Sequence, residues 1–320
     1  MEKHLLPRVA PPSLDRRSVL KCMAWAGTGV LWSVVGGIPK ASGLIGSAAA
    51  ATSAATGVHF VQISDSHIGF AKEANPDSSG TLRDAIAKIN ALPHQPDFIV
   101  HTGDVSHLSK PAEFDAAQQL LGELRAGPIH FIPGEHDVLD DTPGALFRER
   151  FVKGGQGDGW YSFDQAGVHF VALVNVTDLK AGGLGNLGTT QLEWLEADLA
   201  GRTASTPIVV LAHIPLWTIS ADWGWGTSDA EQALGYLRRF GSVTVLNGHI
   251  HQVMQKVEGN ISFHTAMSTA FPQPAPGNAP SPGPMKVPAD RLRQLLGVAS
   301  VDILPSQSMA QLVEMPLSNG

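Results

Sequence analysis

A single cysteine, Cys22, stands among 320 residues. One thiol excludes a disulfide framework and any cluster of thiolate ligands, so iron–sulfur and soft copper sites drop out. Charge is also scarce: charged side chains make up 16% of the chain, and 22 Lys and Arg face 29 Asp and Glu, for a net charge of −7. The first 55 residues hold six of the basic groups (Lys3, Arg8, Arg16, Arg17, Lys21, Lys40) against Glu2 and Asp15, which leaves 16 basic and 27 acidic residues beyond them. Such a surface lacks the cationic footprint that releases counterions from a polyanion, so duplex nucleic acid and anionic membrane surfaces are disfavoured partners. No internal repeat or heptad pattern is present. A hydrophobic content of 43% excludes a disordered or collagenous chain, and the length suffices for one large α/β core or two modest ones.

The N-terminal segment reads as an address. Asp15-Arg16-Arg17-Ser18-Val19-Leu20-Lys21 precedes seventeen mostly apolar residues, Cys22 to Ile38, broken by Gly27, Gly29, Gly36 and Gly37. This run is short and glycine-rich for a bilayer-spanning helix, which needs about 20 apolar residues. A small-residue tract with A-x-A options near Ala49 to Ala55 follows. The arrangement resembles a twin-arginine export signal, the alternative being an uncleaved membrane anchor. That resemblance implies the twin-arginine export machinery as partner, a periplasmic or secreted location, passage in a folded state and no stable membrane anchor after cleavage. Cys22 lies beside Lys21 and ahead of the apolar run, which does not suit a lipoprotein cysteine. The expected division is residues 1–55 as export signal and linker, 56–270 as the main domain, and 271–320 as a proline-rich loop and closing segments of that domain.

From Gly57 onward, short β-branched runs alternate with helical patterns. Strands are expected at 58–64, 97–101 and 129–132, with helices at 80–92 and 110–125, the second capped by Ser109 with Pro111 in its first turn. Strands joined by crossover helices imply a parallel sheet. The pattern then restarts with a hairpin at 160–163 and 168–174, helices at 189–199 and 229–240, strands at 208–212 and 243–246, and a second hairpin at 251–256 and 261–265. Two α/β halves packed together follow from this order. Seven of the eighteen residues from Phe271 to Pro288 are proline, which forbids a regular element there. Closing strands are expected at 297–304 and 309–315.

Five polar clusters sit just after five of the expected strands: Asp65-Ser66-His67, Gly103-Asp104, Gly134-Glu135-His136-Asp137, Ala212-His213 and Gly248-His249-Ile250-His251. In an open α/β sheet the carboxyl ends of the strands form the crevice where ligands bind. Mixed carboxylate and imidazole donors suit Zn, Fe or Mn. Seven donors, Asp65, His67, Asp104, Glu135, His213, His249 and His251, exceed what one cation needs, so two cations sharing a carboxylate is the economical arrangement.

The clusters, in order, resemble the D-x-H, G-D, G-N-H-[DE], lone H and G-H-x-H pattern of the calcineurin-like metallophosphoesterase superfamily, over about Val58 to Ala270. The family includes purple acid phosphatases and bacterial cyclic-nucleotide phosphodiesterases. The resemblance implies a four-layer α/β/β/α sandwich of two mixed sheets flanked by helices. It also implies two divalent or trivalent metal ions (Fe, Mn or Zn). Asp65, His67 and His251 would hold the first, Glu135, His213 and His249 the second, and Asp104 would bridge them. His136 would face a small phosphoester substrate as a catalytic residue, and hydroxide activated by the metal pair would attack phosphorus.

The chain departs from the family at Glu135, where asparagine is usual. An added carboxylate holds cations more strongly but repels phosphate, so a weakly active or non-catalytic metal- or phosphate-binding protein is the rival reading. His107, three residues after Asp104, occupies the offset of an iron-binding tyrosine in purple acid phosphatases and is a candidate additional ligand; the alternative is an outer role. Asp137 is expected either to orient His136 as part of the catalytic set or to cap the following turn. Trp223 and Trp225, in a loop after His213, are candidate substrate contacts, with a small local core as the alternative. No Arg or Lys lies in the five motifs, which mildly favours phosphodiesters over dianionic monoesters. His59, His130 and His169 fall within strands and are assigned no role.

Overall fold

The computed structural model describes residues 57–304 and 310–318, together with the backbone of a short antiparallel pair, β1 (Ser33–Val35) and β2 (Ile38–Lys40). The paired arginines and the cleavage options of the export signal lie outside the described residues. Among the described residues no helix is long and apolar enough to cross a membrane.

β3 (Val58–Ile63), α1 (Ser78–Asn90), β4 (Phe98–His101), α2 (Pro111–Leu121), β5 (Ile129–Phe131) and α3 (Ala145–Phe151) follow in order. β3, β4 and β5 pair in parallel, so α1 and α2 are crossovers. Helix α1 starts where the Asp77 side chain accepts the Gly80 N–H at 2.7 Å, and Leu82, Ala85, Ile86 and Ile89 recur on its buried face. Helix α2 corrects one expectation. Lys110, not Ser109, occupies its cap position, and no side chain caps it. Pro111 opens the helix and has no N–H to satisfy, which makes a side-chain cap dispensable. The Ser109 hydroxyl instead donates to the His136 carbonyl and accepts the Leu139 N–H, both at 2.8 Å, and so ties two loops together.

The second half contains the hairpin β6 (Tyr161–Gln165) and β7 (Val168–Ala172), then α4 (Thr189–Ala200), β8 (Ile208–Leu211), α5 (Ala230–Leu237) and β9 (Val243–Asn247). It continues through β10 (Met254–Glu258), β11 (Ile261–Thr265), α6 (Ala289–Leu295), β12 (Gly297–Ile303) and β13 (Gln311–Pro316). Helices α3 and α6, seven residues each, were not expected, because two turns are too few to display a 3.6-residue period.

Two mixed sheets result. Five strands run in the order β13-β12-β3-β4-β5 and six in the order β10-β11-β9-β8-β7-β6. β12 inserts antiparallel between β13 and β3, so the segment after the proline-rich loop completes the first sheet. Phe60, Phe98 and Val100 from the first sheet meet Phe170, Val209, Leu211 and Leu246 from the second in a common apolar layer. Phe60 and Phe98 stack at 5.0 Å, with Phe170 edge-on to both. Helices α1 to α3 cover the outer face of the first sheet, and α4 and α5 that of the second. The architecture is the expected α/β/β/α sandwich, with β4 and β8 wholly buried between layers.

The three strand histidines assigned no role, His59, His130 and His169, are structural. His59 pairs with Asp302 at 2.9 Å, His169 lies between Asp164 and Asp198 at 3.1 and 2.7 Å, and His130 stacks on Phe163 at 3.8 Å.

Candidate metal centre

The five polar clusters follow β3, β4, β5, β8 and β9, and parallel pairing within each sheet puts those strand ends on one side. Cross-links join the two halves there. The His249 N–H donates to Asp65 Oδ1 at 3.0 Å and Gln62 Nε2 to the Asn247 carbonyl at 3.1 Å, while within the second half the Gly248 N–H donates to the His213 carbonyl at 3.0 Å. The loops are bent unusually. Asp65, His67, Asp104, His249 and His251 all adopt left-handed backbone, with φ of 53°, 40°, 54°, 70° and 53°. Asp and His tolerate this region better than most side chains, but it still carries strain. Gly103 is also left-handed, and a Cβ there would run into the His213 ring and the Gly134 amide.

All seven expected donors come together in two groups. Ligand atoms of Asp65, His67, Asp104 and His251 lie within 4.8 Å of one another, as do those of Glu135, His213 and His249. Asp104 faces both, with Oδ2 at 3.3 Å from His67 Nε2 and 3.5 Å from His213 Nε2. His251 Nε2 lies 3.2 Å from His67 Nε2 and 3.3 Å from Asp65 Oδ1. Glu135 places Oε1 at 2.8 Å from His249 Nδ1 and Oε2 at 2.9 Å from His213 Nε2.

Outer contacts fix the rings. His213 Nδ1 donates to the Thr102 carbonyl at 2.6 Å and His251 Nδ1 to the Phe271 carbonyl at 2.5 Å, so both turn Nε2 to the interior. His136 Nδ1 donates to the His107 carbonyl at 2.7 Å, and its backbone N–H donates to Asp104 Oδ1 at 2.9 Å. Asp65 Oδ2, Glu135 Oε2, His213 Nε2 and both ring nitrogens of His249 are buried without a hydrogen-bond partner. Converging buried lone pairs without donors fit a cation, since such groups otherwise carry a desolvation penalty.

The electrostatics agree with that fit. Burial pushes the Asp65 carboxyl up, but His251 and His213 outweigh it and hold the group at about 2. Burial likewise opposes ionisation of Glu135, yet His249 and His213 hold it well below the usual carboxylate range. Burial lowers His67 strongly, reinforced by His251, His136 and His107. His213 and His136 rise despite burial because Asp104 and Glu135 face them. Burial together with Asp104 pushes Asp137 up to about 7, against N–H donors from Ser106, Gly134 and Val105.

Other expected residues are placed differently. Asp137 directs its hydrogen bonds elsewhere than the His136 ring. Its carboxylate accepts the N–H groups of Val105, Ser106 and Gly134 at 3.0, 2.8 and 3.1 Å and the Ser106 hydroxyl at 2.9 Å, so it secures the loops that carry Asp104 and Glu135. The carbonyl of His107, not a carboxylate, orients His136. Trp225 is fully buried against Ile250 and Met254, with Trp223 edge-on at 5.0 Å, so Trp225 takes the local-core alternative, while Trp223 is only partly buried. His107 groups with His67 and His136 and with no carboxylate.

Sequence reasoning missed Phe271 and Phe70. The Phe271 ring packs on His67 at 4.8 Å, on His251 at 4.6 Å and on Phe70 at 4.4 Å, and its carbonyl holds His251. Nothing local marks Phe271; its place at the start of the proline-rich loop is the one available hint.

A calcineurin-like phosphoesterase family model matches residues 58–253, and the chain belongs to that family. The chain is 24% identical over 221 residues to a 3′,5′-cyclic-nucleotide phosphodiesterase of Nostoc, covering 67% of this chain and 79% of that one. It is 28% identical over 218 residues to a serine/threonine-protein phosphatase of Danio rerio, covering 61% and 70%. In fold it resembles a purple acid phosphatase from yellow lupin seeds, with a TM-score of 0.58 and 15% identity over 82% of this chain; it spans about half, 52%, of the lupin chain.

Proposed function

We propose that this chain is an exported phosphoesterase that works with two metal ions, Fe, Mn or Zn, and hydrolyses a small phosphodiester or phosphomonoester. The observation that carries the reading is Asp104, whose Oδ2 lies 3.3 Å from one donor group and 3.5 Å from the other, as a bridging carboxylate requires. Asp65, His67, Asp104 and His251 would hold one ion, and Asp104, Glu135, His213 and His249 the other. When bound, such a pair supplies Lewis-acid polarisation of the phosphoryl group and an activated water. The residues do the rest. The His107 carbonyl engages His136 Nδ1, which leaves Nε2 free to hold or pass a proton to the leaving oxygen. Asp104 and Glu135 favour the protonated imidazole, as a general acid needs. Asp137 keeps the Asp104 and Glu135 loops in register.

Family membership and the phosphodiesterase and phosphatase relatives support the chemistry. Arg16-Arg17 ahead of a weak apolar run supports export by the twin-arginine route to the periplasm or outside. Glu135 favours a second reading. A third carboxylate in contact with both His213 and His249 would strengthen metal holding and reduce attraction for phosphate, giving a weakly active binding protein. Hydrolysis of a chromogenic bis-aryl diester and the matching monoester, with Mn, Fe and Zn, separates the two. Turnover of either ester supports the hydrolase; two bound metals without turnover overturn it in favour of the binding protein.

A further inference from the structure

We infer that the His107 side chain is a positioning group that fixes the ring tautomer of His67 and is not itself a metal ligand. The inference rests on the metal-centre reading above. His67 is 1% exposed, so both of its ring nitrogens must find partners within the protein. A neutral imidazole offers one N–H and one lone pair. Nε2 faces His251 Nε2 at 3.2 Å and Asp104 Oδ2 at 3.3 Å, which is the ligand side and requires the lone pair. Nδ1 therefore carries the hydrogen, and the group it meets is His107 Nδ1 at 3.3 Å. His107 must then present a lone pair at Nδ1 and carry its own hydrogen on Nε2.

The same residue acts on His136 through its backbone. Its carbonyl accepts the His136 Nδ1–H at 2.7 Å, and the two rings stack at 4.9 Å with an interplanar angle of 14°. His107 is held in turn, since its N–H donates to the Ile68 carbonyl at 3.0 Å and to Glu113 Oε2 at 3.2 Å. A ligand role fits less well. The group containing His107 holds only imidazoles, and a cation there would draw His67 Nδ1 and His136 away from the contacts just described.

Zinc binding by the full chain tests this, with wild type, His107→Ala and His107→Asn, because asparagine restores an acceptor near the Nδ1 position. Calorimetry and elemental analysis give affinity and stoichiometry, and X-ray absorption gives imidazoles per zinc. His107→Ala should keep two zinc ions and the same imidazole count while weakening one site about 10- to 100-fold. His107→Asn should recover most of that loss. Nitrogen-15 histidine spectra of the zinc-loaded wild type should show His67 protonated at Nδ1 and His107 at Nε2. Loss of one imidazole from the two-zinc centre (half an imidazole per zinc on average), loss of a third zinc equivalent, unchanged affinity or the opposite tautomers would each overturn the inference. A wild-type chain that binds no zinc, manganese or iron would instead overturn the metal-centre reading, and this inference with it.

Discussion

Glu135 reaches two histidines at once, with Oε1 2.8 Å from His249 Nδ1 and Oε2 2.9 Å from His213 Nε2. A shorter neutral side chain at this position would contribute one amide oxygen in place of a full carboxylate. We expect Glu135→Gln to weaken the second metal about tenfold or more while the first is retained, and Glu135→Asn to shift metal preference or rate. Elemental analysis over a chelator series, with ester turnover alongside, reads both. Unchanged metal content and unchanged rate would show that Glu135 is not a ligand.

Asp104 lies between the two donor groups, so its loss should be felt by both. Asp104→Ala is expected to lose affinity for both ions together, where Asp65→Ala should affect mainly one. A variant at 104 with full metal and full activity would refute the bridging assignment.

His136 belongs to no expected metal set, and its Nδ1 is already engaged by the His107 carbonyl. We predict that His136→Ala keeps both ions and lowers kcat by about 10²- to 10⁴-fold, the range for a lost general acid. Equal metal content and an unaltered kcat would remove it from the chemistry.

Trp225 is fully buried against Ile250, the residue between the donors His249 and His251. Trp225→Ala should cost about 3–5 kcal/mol in urea unfolding and loosen metal binding, as deletion of a buried aromatic leaves a cavity. Trp223→Ala, at a half-buried position, should cost less. If Trp225→Ala left stability intact and changed only KM, the substrate contact first expected from the sequence would return.

His130 supplies a pH dependence away from the centre. Burial lowers its pKa from 6.5 to about 4. Between those values the unfolded chain binds a proton that the folded chain does not. The stability is therefore present above about pH 6.5 and lost as pH falls toward 4. His130→Phe, which keeps a ring against Phe163, should gain on wild type by about 1–2 kcal/mol more at pH 5 than at pH 8, a figure reduced for the partly exposed ring. An equal gap at both pH values in urea titrations would contradict the shift.

The site's donors were legible in the sequence because each lies two to four residues past an apolar strand, and parallel strands send their ends to one rim. The alternation of strand and helix likewise gave the two halves. What was not legible depends on contacts between distant segments. The sequence reading left Asp137 between orienting its neighbour His136 and capping the following turn; three backbone N–H groups that only the fold brings near take its carboxylate instead. Trp225 carried no mark to tell a local core from a substrate face, since both use a large ring. Ser109 has the chemistry of a cap, but Pro111 removes the need for one and the hydroxyl finds the His136 carbonyl. Phe271 reaches His251 across twenty residues, beyond the span of any periodic signal.

Five of the seven donors sit in the left-handed conformation. Glycine would relax each bend but brings no lone pair, and a bulkier apolar residue would keep the strain and lose the chemistry as well. The rim thus has no neutral neighbours in sequence space. Under warming it should loosen before the sheets behind it, so that hydrogen exchange would begin at the very turns where the donors stand.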